Sequence, residues 1–393
     1  MALPTTRSLA EVALERGFVA GFATSRTFNV GVDPSALLEN LTETRVDSAA
    51  PDSKEETPRG SRIRTVLAEL FQLVIQLSKT TTNCIFVLTE SSSFGGMPVT
   101  RRDWENISAI IHASGFHYHV APGDVNSELS EMSRRGVIDM ILTGDQDSIE
   151  AGGVCVACVN WERSHFLSQE IVLDVYDGRH LHGTSNSIGA TSWSKSSQGP
   201  SAMPTWRPLI QNIGALAECC SSVLNWGEQA ILTYFEEQVY PGAVVRILSS
   251  KRVLYDYREG ILIAGDLQLS NSARAKPVVM QTTLLDPKPK LPLRILNPRR
   301  FDPHATTLAS FSTAFFVTTV LEALGMTDLY VPGDIHNSSI RLAVPMILLF
   351  AAANPGRYGH VVKPQKKSLS TRFHLLQGSP TLEEMTSSRH RYM

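Results

Sequence analysis

The sequence is poor in the features that mark several large classes of protein. It has 5 cysteines in 393 residues, scattered as Cys84, Cys155, Cys158, Cys219 and Cys220. That is too few for a disulfide scaffold and points to a reducing compartment. The longest apolar run, Leu342 to Ala353, has Pro345 inside it and falls well short of the about 20 residues a bilayer span needs. The N-terminal stretch MALPTTRSLAEVALERGF carries Glu11 and Glu15 and lacks a long apolar centre, so it is not read as a secretory signal. A soluble intracellular protein with no membrane partner is expected. Neither sign of charge dominates, since 36 Lys and Arg face 38 Asp and Glu. A chain that is basic throughout is excluded, although local basic patches are not. Neither G-x-G-x-x-G nor G-x-x-x-x-G-K-S/T occurs, which argues against a nucleotide-binding domain and against a small-molecule cofactor.

What remains is 42% hydrophobic and 19% charged, enough apolar material for real cores over about two or three domains. Residues 28–32, FNVGV, read as a strand that ends at Asp33. Residues 62–78 carry apolar side chains at helical spacing, and 84–88, CIFVL, read as a buried parallel strand. A helix over 103–114, a strand over 116–120, a helix over 124–135, a strand over 140–142 and a strand over 153–160 follow. This alternation predicts an α/β fold with a mainly parallel central sheet. In such sheets the site lies beyond the carboxyl ends of the strands. Asp33, Asp124, Asp145 and Asp147 each fall just after a strand and are therefore expected to converge.

Residues 46–61 read as a mobile loop inside a first domain spanning 1–180, and 181–207 as a Ser/Gly-rich linker. Over 208–355 a smaller helical and β-containing region is expected. It has helices over 210–240, a small β element over 244–266, and buried helices over 308–325 and 340–353. Residues 244–301 hold 11 Lys and Arg against 4 Asp and Glu, a basic segment suited to a phosphate backbone or to a solvated face. A basic tail over 356–393, with PQKKSLSTR inside it, is expected to be disordered and suits nuclear import or nonspecific nucleic-acid contact.

The pair Asp145-Gln146-Asp147 is the sharpest chemical signal. Two carboxylates two residues apart can share a hard cation such as Mg²⁺, which takes oxygen ligands. Two such ions about 3.5–4 Å apart can clamp a phosphodiester undergoing displacement. Taken singly, each acid has an ordinary reading. The pair reads as a solvated loop, and Asp124 and Asp33 read as helix caps. Four acids at the strand ends of one unit are harder to assign to coincidence.

The segment from Gly115 to Asn160 resembles the internal nuclease region of the XPG-type, flap-endonuclease-like family. That family carries a run A-P-G-E-A-E-A-E, a helix, and then hydrophobic-D-A-hydrophobic-L-T-x-D-x-D. Here the run reads Ala121-Pro122-Gly123-Asp124-Val125-Asn126-Ser127-Glu128, and the later part reads Val137-Ile138-Asp139-Met140-Ile141-Leu142-Thr143-Gly144-Asp145-Gln146-Asp147. Residues 28–40 are similar to the family's N-terminal strand with its metal-binding aspartate, here Asp33, and PTTRSLAEVALERGF is similar to the stretch before it. Near the C-terminus, IRLAVPMILLFAAANP is similar to a late motif of the Holliday-junction-resolving branch, whose layout the chain matches most closely. The similarity covers about residues 5–180.

The resemblance implies a PIN-like domain. It implies a structure-specific endonuclease that cuts branched or flapped DNA in repair or recombination with two Mg²⁺ ions, Mn²⁺ being the alternative, in the nucleus. It makes Asp33, Asp124, Asp145 and Asp147 metal ligands and brings Arg101 and Arg102 to the scissile phosphate, where the plain alternative is an exposed basic pair before a helix. A small β module after the core would help to hold DNA. The departures are specific. Asn126 stands in place of a second glutamate, and Thr89, followed by Glu90, in place of an aspartate. The Met-Gly-Ile opening is absent, and no G-G-D-Y or helix–two-turn–helix follows residue 180. They leave a second expectation, a catalytically degraded member that binds DNA or a partner. Cys155 and Cys158 read as small hydrophobes of a buried strand and not as half a zinc site. His117 and His119 share one strand face, and His112 lies nearby.

Overall fold

The structure, a computed structural model, describes residues 5–19, 28–38, 58–89, 93–94, 97–144, 147–159, 171–177, 206, 208–250, 253–256, 260–267, 276–284, 305–327 and 338–353. The chain opens with β1 (Thr5–Ser8) and α1 (Leu9–Val12), which starts at a Ser8–Glu11 capping box, and the helix widens over Ala13–Val19. Then come β2 (Asn29–Val32), α2 (residues 34–38) and α3 (Pro58–Ser78). Strand β3 (Asn83–Thr89), a two-residue hairpin of β4 (Ser93–Phe94) and β5 (Met97–Pro98), α4 (Arg101–Ala113) and β6 (His117–Ala121) follow. The first half closes with α5 (Val125–Arg134), β7 (Met140–Thr143), α6 (Asp147–Glu150), β8 (Cys155–Val159) and β9 (Val172–Asp177).

Seven strands form one sheet in the order β1-β9-β8-β7-β2-β3-β6. The run β8-β7-β2-β3-β6 is parallel throughout, and β9 and β1 add antiparallel pairs on the β8 side. Side chains alternate between two cores. Val30, Val32, Phe86, Leu88 and Leu142 join the main one, with α3 and α4. Ile85, Val87 and Ile141 join a second, with Leu129 and Met132 of α5. Burial on both faces explains why these strands read as unbroken apolar runs.

Downstream lie α7 (Ile213–Ser222), α8 (Glu228–Tyr234) and α9 (Tyr240–Ser249). The last two are joined without a break by a wider turn over Phe235–Val239. Pro241, in the first turn of α9, has no N–H to continue the ladder, which accounts for the local widening. A second, antiparallel sheet takes β10 (Val253–Asp256), β11 (Ile261–Leu267), β12 (Lys276–Leu284), β13 (Thr306–Ser312) and β14 (Ser339–Pro345) in that order. Helices α10 (Ala314–Leu324) and α11 (Met346–Ala353) accompany it. The main core is continuous from Leu9 to Ala352 and includes residues of α7, α9 and this sheet.

Four sequence expectations change. Residues 244–249 are helix, not strand, because Val244, Val245, Ile247 and Leu248 all lie buried in α9. The helix expected over 308–325 begins as strand β13, where Thr307, Ala309 and Phe311 are buried in alternation. The helix expected over 340–353 is strand β14 followed by α11. Pro345 sits at the end of this edge strand, where a missing amide costs no ladder bond. Residues 58–61 of the expected mobile loop belong to α3. The rest of that loop, the linker except Trp206, and the tail lie outside the described residues.

Two glycines make contrasting predictions. Gly115, after α4, has φ +77°, and a Cβ there would lie 2.8 Å from the Leu209 carbonyl oxygen. Gly31, in β2, would place its Cβ 2.5 Å from Ile138 Cδ1 and 2.6 Å from Leu129 Cδ2, tips of side chains that can give. Gly115→Ala meets backbone and an unfavourable φ together, so it is expected to cost about 2–3 kcal/mol, against about 1 kcal/mol for Gly31→Ala. Denaturant titration of the two variants checks the order, and a costlier Gly31→Ala contradicts it.

Burial raises the thiols of Cys84 and Cys219 to about 11 and that of Cys220 higher still. In the unfolded chain they ionise near about 8.5. Protonated thiols therefore stabilise the fold fully below that pH and progressively less as pH rises toward 11. Lys79, pulled down to about 8 by burial, acts in the opposite direction over the same range but offsets only one of the three. The thermal midpoint is expected to fall between about pH 9 and 11; a midpoint that holds or rises there contradicts this account.

Candidate metal and nucleic-acid site at the carboxyl edge of the sheet

Because β2, β3, β6 and β7 are parallel, their carboxyl ends share one edge. Asp33 follows β2 directly, and its N–H donates to the Leu142 carbonyl of β7 at 3.0 Å, continuing the ladder by one residue. Its side chain is 4% exposed. Oδ1 accepts the amides of Ser35 at 3.0 Å and Ala36 at 3.3 Å, capping α2. Asp124 lies three residues after β6 and is the N-cap of α5; its Oδ2 accepts the Ser127 amide at 2.8 Å, and it is exposed. Asp147 opens α6 four residues after β7 and is also exposed. Asp145 lies outside the described residues. Thr89 ends β3.

Crossover helices in a parallel sheet begin at the edge where the preceding strand ends, so α4 and α5 direct their N-termini to this same edge. Each presents unpaired N–H groups and the positive end of its dipole there. Arg101 and Arg102 are the first two residues of α4, behind a Thr100–Asp103 capping box. Both are exposed, and Arg101 Nε lies 3.2 Å from Glu105 Oε1. So exposed a pair contributes little to stability, and both guanidinium groups stand in solvent at the edge.

On the α5 side, Ser148 Oγ donates to Asn126 Oδ1 at 2.5 Å, and Ser130 Oγ donates to the Ser148 carbonyl at 3.2 Å. His119 Nε2 lies 2.9 Å from Glu128 Oε1, and its ring packs edge-on against Trp206, 6.1 Å between centroids. His117 and His119 share the half-buried face of β6 while Tyr118 and Val120 are exposed. The contacts of Asn126, Ser148 and Trp206 had no signal in the sequence beyond the unexpected neutral residue at 126.

Set against the sequence reading, the described aspartates share an edge but divide in environment. One is buried and two are exposed caps or first-turn acids. Their carboxylate oxygens suit a hard cation by type. Among the described residues, however, no group of three or more His, Cys, Asp or Glu is placed to hold a metal ion. Asp33, Asp124 and Asp147 therefore do not form a ligand set by themselves.

Two other expectations resolve plainly. Cys155 and Cys158 are three residues apart on β8 and face opposite cores, with Arg16 Nη1 donating to Cys155 Sγ at 3.3 Å. They are strand residues and no metal pair. The basic segment 244–301 includes Arg246, which is buried inside α9 and contributes nothing to a DNA-facing surface. No helix among the described residues is long and apolar enough to cross a membrane.

No protein-family profile matches the sequence, and no curated protein matches it. Solved structures do match by shape. The Holliday junction-resolving enzyme GEN1, in complex with product DNA and Mg²⁺, superposes with a TM-score of 0.50 at 13% identity, over 90% of this chain and 95% of that one. The eukaryotic junction-resolving enzyme GEN-1 with sodium gives a TM-score of 0.50 at 12% identity, over 91% and 96%. The chain has the XPG-type, flap-endonuclease-like fold. At this identity the likeness establishes architecture. That fold accounts for the mainly parallel seven-stranded sheet and its helices.

Proposed function

We propose that this chain is a divalent-metal-dependent, structure-specific endonuclease-like protein acting on branched or flapped DNA, in nuclear repair or recombination. The observation that supports it is topological. Asp33, Asp124, Asp147 and the strand leading into Asp145 all end at one edge of an XPG-type sheet. Asp33, Asp124, Asp145 and Asp147 would hold Mg²⁺ or Mn²⁺, which when bound activates a water and stabilises the leaving oxygen of a phosphodiester. Around it, the chain's own groups bind and orient. Arg101 and Arg102, exposed at the start of α4, attract the DNA backbone and offset charge on the phosphate. The amide-rich N-termini of α4 and α5 add fixed positive potential.

Purified chain with Mg²⁺ or Mn²⁺ and a labelled flap or four-way junction is expected to give cuts that Asp145→Asn abolishes. No cleavage of any branched substrate overturns the enzymatic reading. A second reading, a DNA- or partner-binding module without hydrolysis, is favoured by one observation: the neutral Asn126 is engaged by Ser148. Calorimetry distinguishes the two, because tight DNA binding with no metal uptake supports the module.

A further inference from the structure

We propose that the outer edge of β6 and the groove beside it dock a basic, extended peptide of a partner protein, with a lysine or arginine two residues from an apolar residue. The proposal goes beyond the nuclease reading and does not depend on it. Among the described residues β6 ends the seven-stranded sheet and pairs only with β3. Its sequence, His117-Tyr118-His119-Val120-Ala121, has no lysine, proline or bulge, the usual devices that keep an edge from pairing. Tyr118 is 44% and Val120 39% exposed, two of the three large apolar side chains exposed among the described residues. In the register they stand beside Phe86 and Leu88 of β3, which belong to the main core. Neighbours in register share a sheet face. Tyr118 and Val120 therefore prolong the α4 side of the sheet past its last covered strand.

Tyr118 is also one wall of a groove of about 540 Å³. Asn106, Ala109 and His112 of α4 and Glu218 and Ser222 of α7 line the rest, and among the described residues no Lys or Arg does. The helical layer around Glu218 carries one sign of charge. Residues 208–245 hold four acids, Glu218, Glu228, Glu236 and Glu237, and no Lys, Arg or His. All four carboxylates are exposed. A carboxylate and an aromatic ring in one groove suit a cation. This surface repels a phosphate backbone, and a second copy would bring the same acidic layer against itself. A basic peptide is attracted to it. Laid along β6 as an added strand, such a peptide turns alternate side chains to the α4 face. The cation enters the groove beside Tyr118, and the apolar residue two positions away covers Val120. Five residues of strand and one exposed ion pair make a small, reversible interface.

The test uses the full chain and fluorescein-labelled, threonine-rich heptapeptides. Lysine, arginine, glutamate or alanine occupies one position and valine the position two further on. Fluorescence anisotropy is expected to show the lysine and arginine peptides binding at least about tenfold more tightly than the other two. Glu218→Lys is expected to reverse that order and favour the glutamate peptide. Tyr118→Ser, on another wall, is expected to weaken the lysine and arginine peptides by about tenfold. Hydrogen exchange is expected to slow at residues 117–121 when the lysine peptide is bound. Failure of every peptide to bind, a lysine preference that survives Glu218→Lys, or protection that maps away from β6 would each overturn the proposal. So would protection of the same β6 amides by labelled single-stranded DNA, or a dimer of the peptide-free chain that buries them.

Discussion

Replacing Arg246 by methionine is expected to destabilise the chain by about 3–5 kcal/mol and lower its thermal midpoint by about 10 °C. The guanidinium is 5% exposed and has no carboxylate partner among the described residues. It is satisfied by carbonyls instead. Nη2 donates to Gly115 O at 2.5 Å and Leu209 O at 2.6 Å, Nε to Leu209 O at 3.2 Å, and Nη1 to Thr82 O at 3.4 Å. The group also stacks 4.3 Å above the centre of the Phe116 ring. Burial pulls its pKa down to about 10, so it remains charged at neutral pH. Methionine fills much of the volume but takes the donor from three carbonyl oxygens, those of Thr82 and Gly115 in buried bonds and that of Leu209 in a part-buried one, the expensive half of the asymmetry between making and breaking such bonds. Lysine keeps the charge but lacks the planar fork that reaches several acceptors at once, and is expected to fall between the two. Calorimetric unfolding checks this; a midpoint within about 2 °C of wild type for Arg246→Met contradicts the role assigned to the group.

Asp33→Asn is expected to reduce cleavage of branched DNA in Mg²⁺ by about 10²–10³-fold while leaving the fold intact. The amide oxygen of asparagine can still accept the Ser35 and Ala36 N–H groups that now bond Oδ1, so the cap on α2 survives. What is lost is the negative charge at the end of the central strand. The rate of flap cleavage, measured beside the thermal midpoint, separates these effects. An unchanged rate contradicts a metal-binding role for Asp33, and a collapsed midpoint assigns it a structural one.

The parallel sheet was readable in the sequence because two-sided burial writes itself as short apolar runs. Strands expected at 28–32, 84–88, 116–120 and 140–142 are observed at Asn29–Val32, Asn83–Thr89, His117–Ala121 and Met140–Thr143. Strands β1 and β9 carried no such signal. They are edge-side antiparallel strands, and their polar members Thr6 and Asp174 hydrogen-bond each other at 2.8 Å, a pairing 168 residues apart that no local pattern announces. Residues 306–312 and 339–345 were misread because apolar residues of a strand and of the adjoining helix merge into one run, and periodicity over so few residues does not separate them. At the edge, strand ends located the acids, but spacing could not show that Asp124 spends an oxygen on a helix amide or that Asn126 is tied to Ser148. Arg246 did leave a trace, a single cation within Ala243-Val244-Val245-Arg246-Ile247-Leu248, which marks a charge that a buried helix must satisfy.

The claim that Asp33, Asp124, Asp145 and Asp147 surround one cation-binding edge is tested most directly by letting the ion report its own position. Fe²⁺ substituted for Mg²⁺, with ascorbate and peroxide, cuts the polypeptide within reach of the bound ion. Fragments ending near residues 33, 124 and 145–147, suppressed together by excess Mg²⁺ and by Asp33→Asn, are the predicted result. Cuts that cluster elsewhere, or a chain left whole, would contradict it.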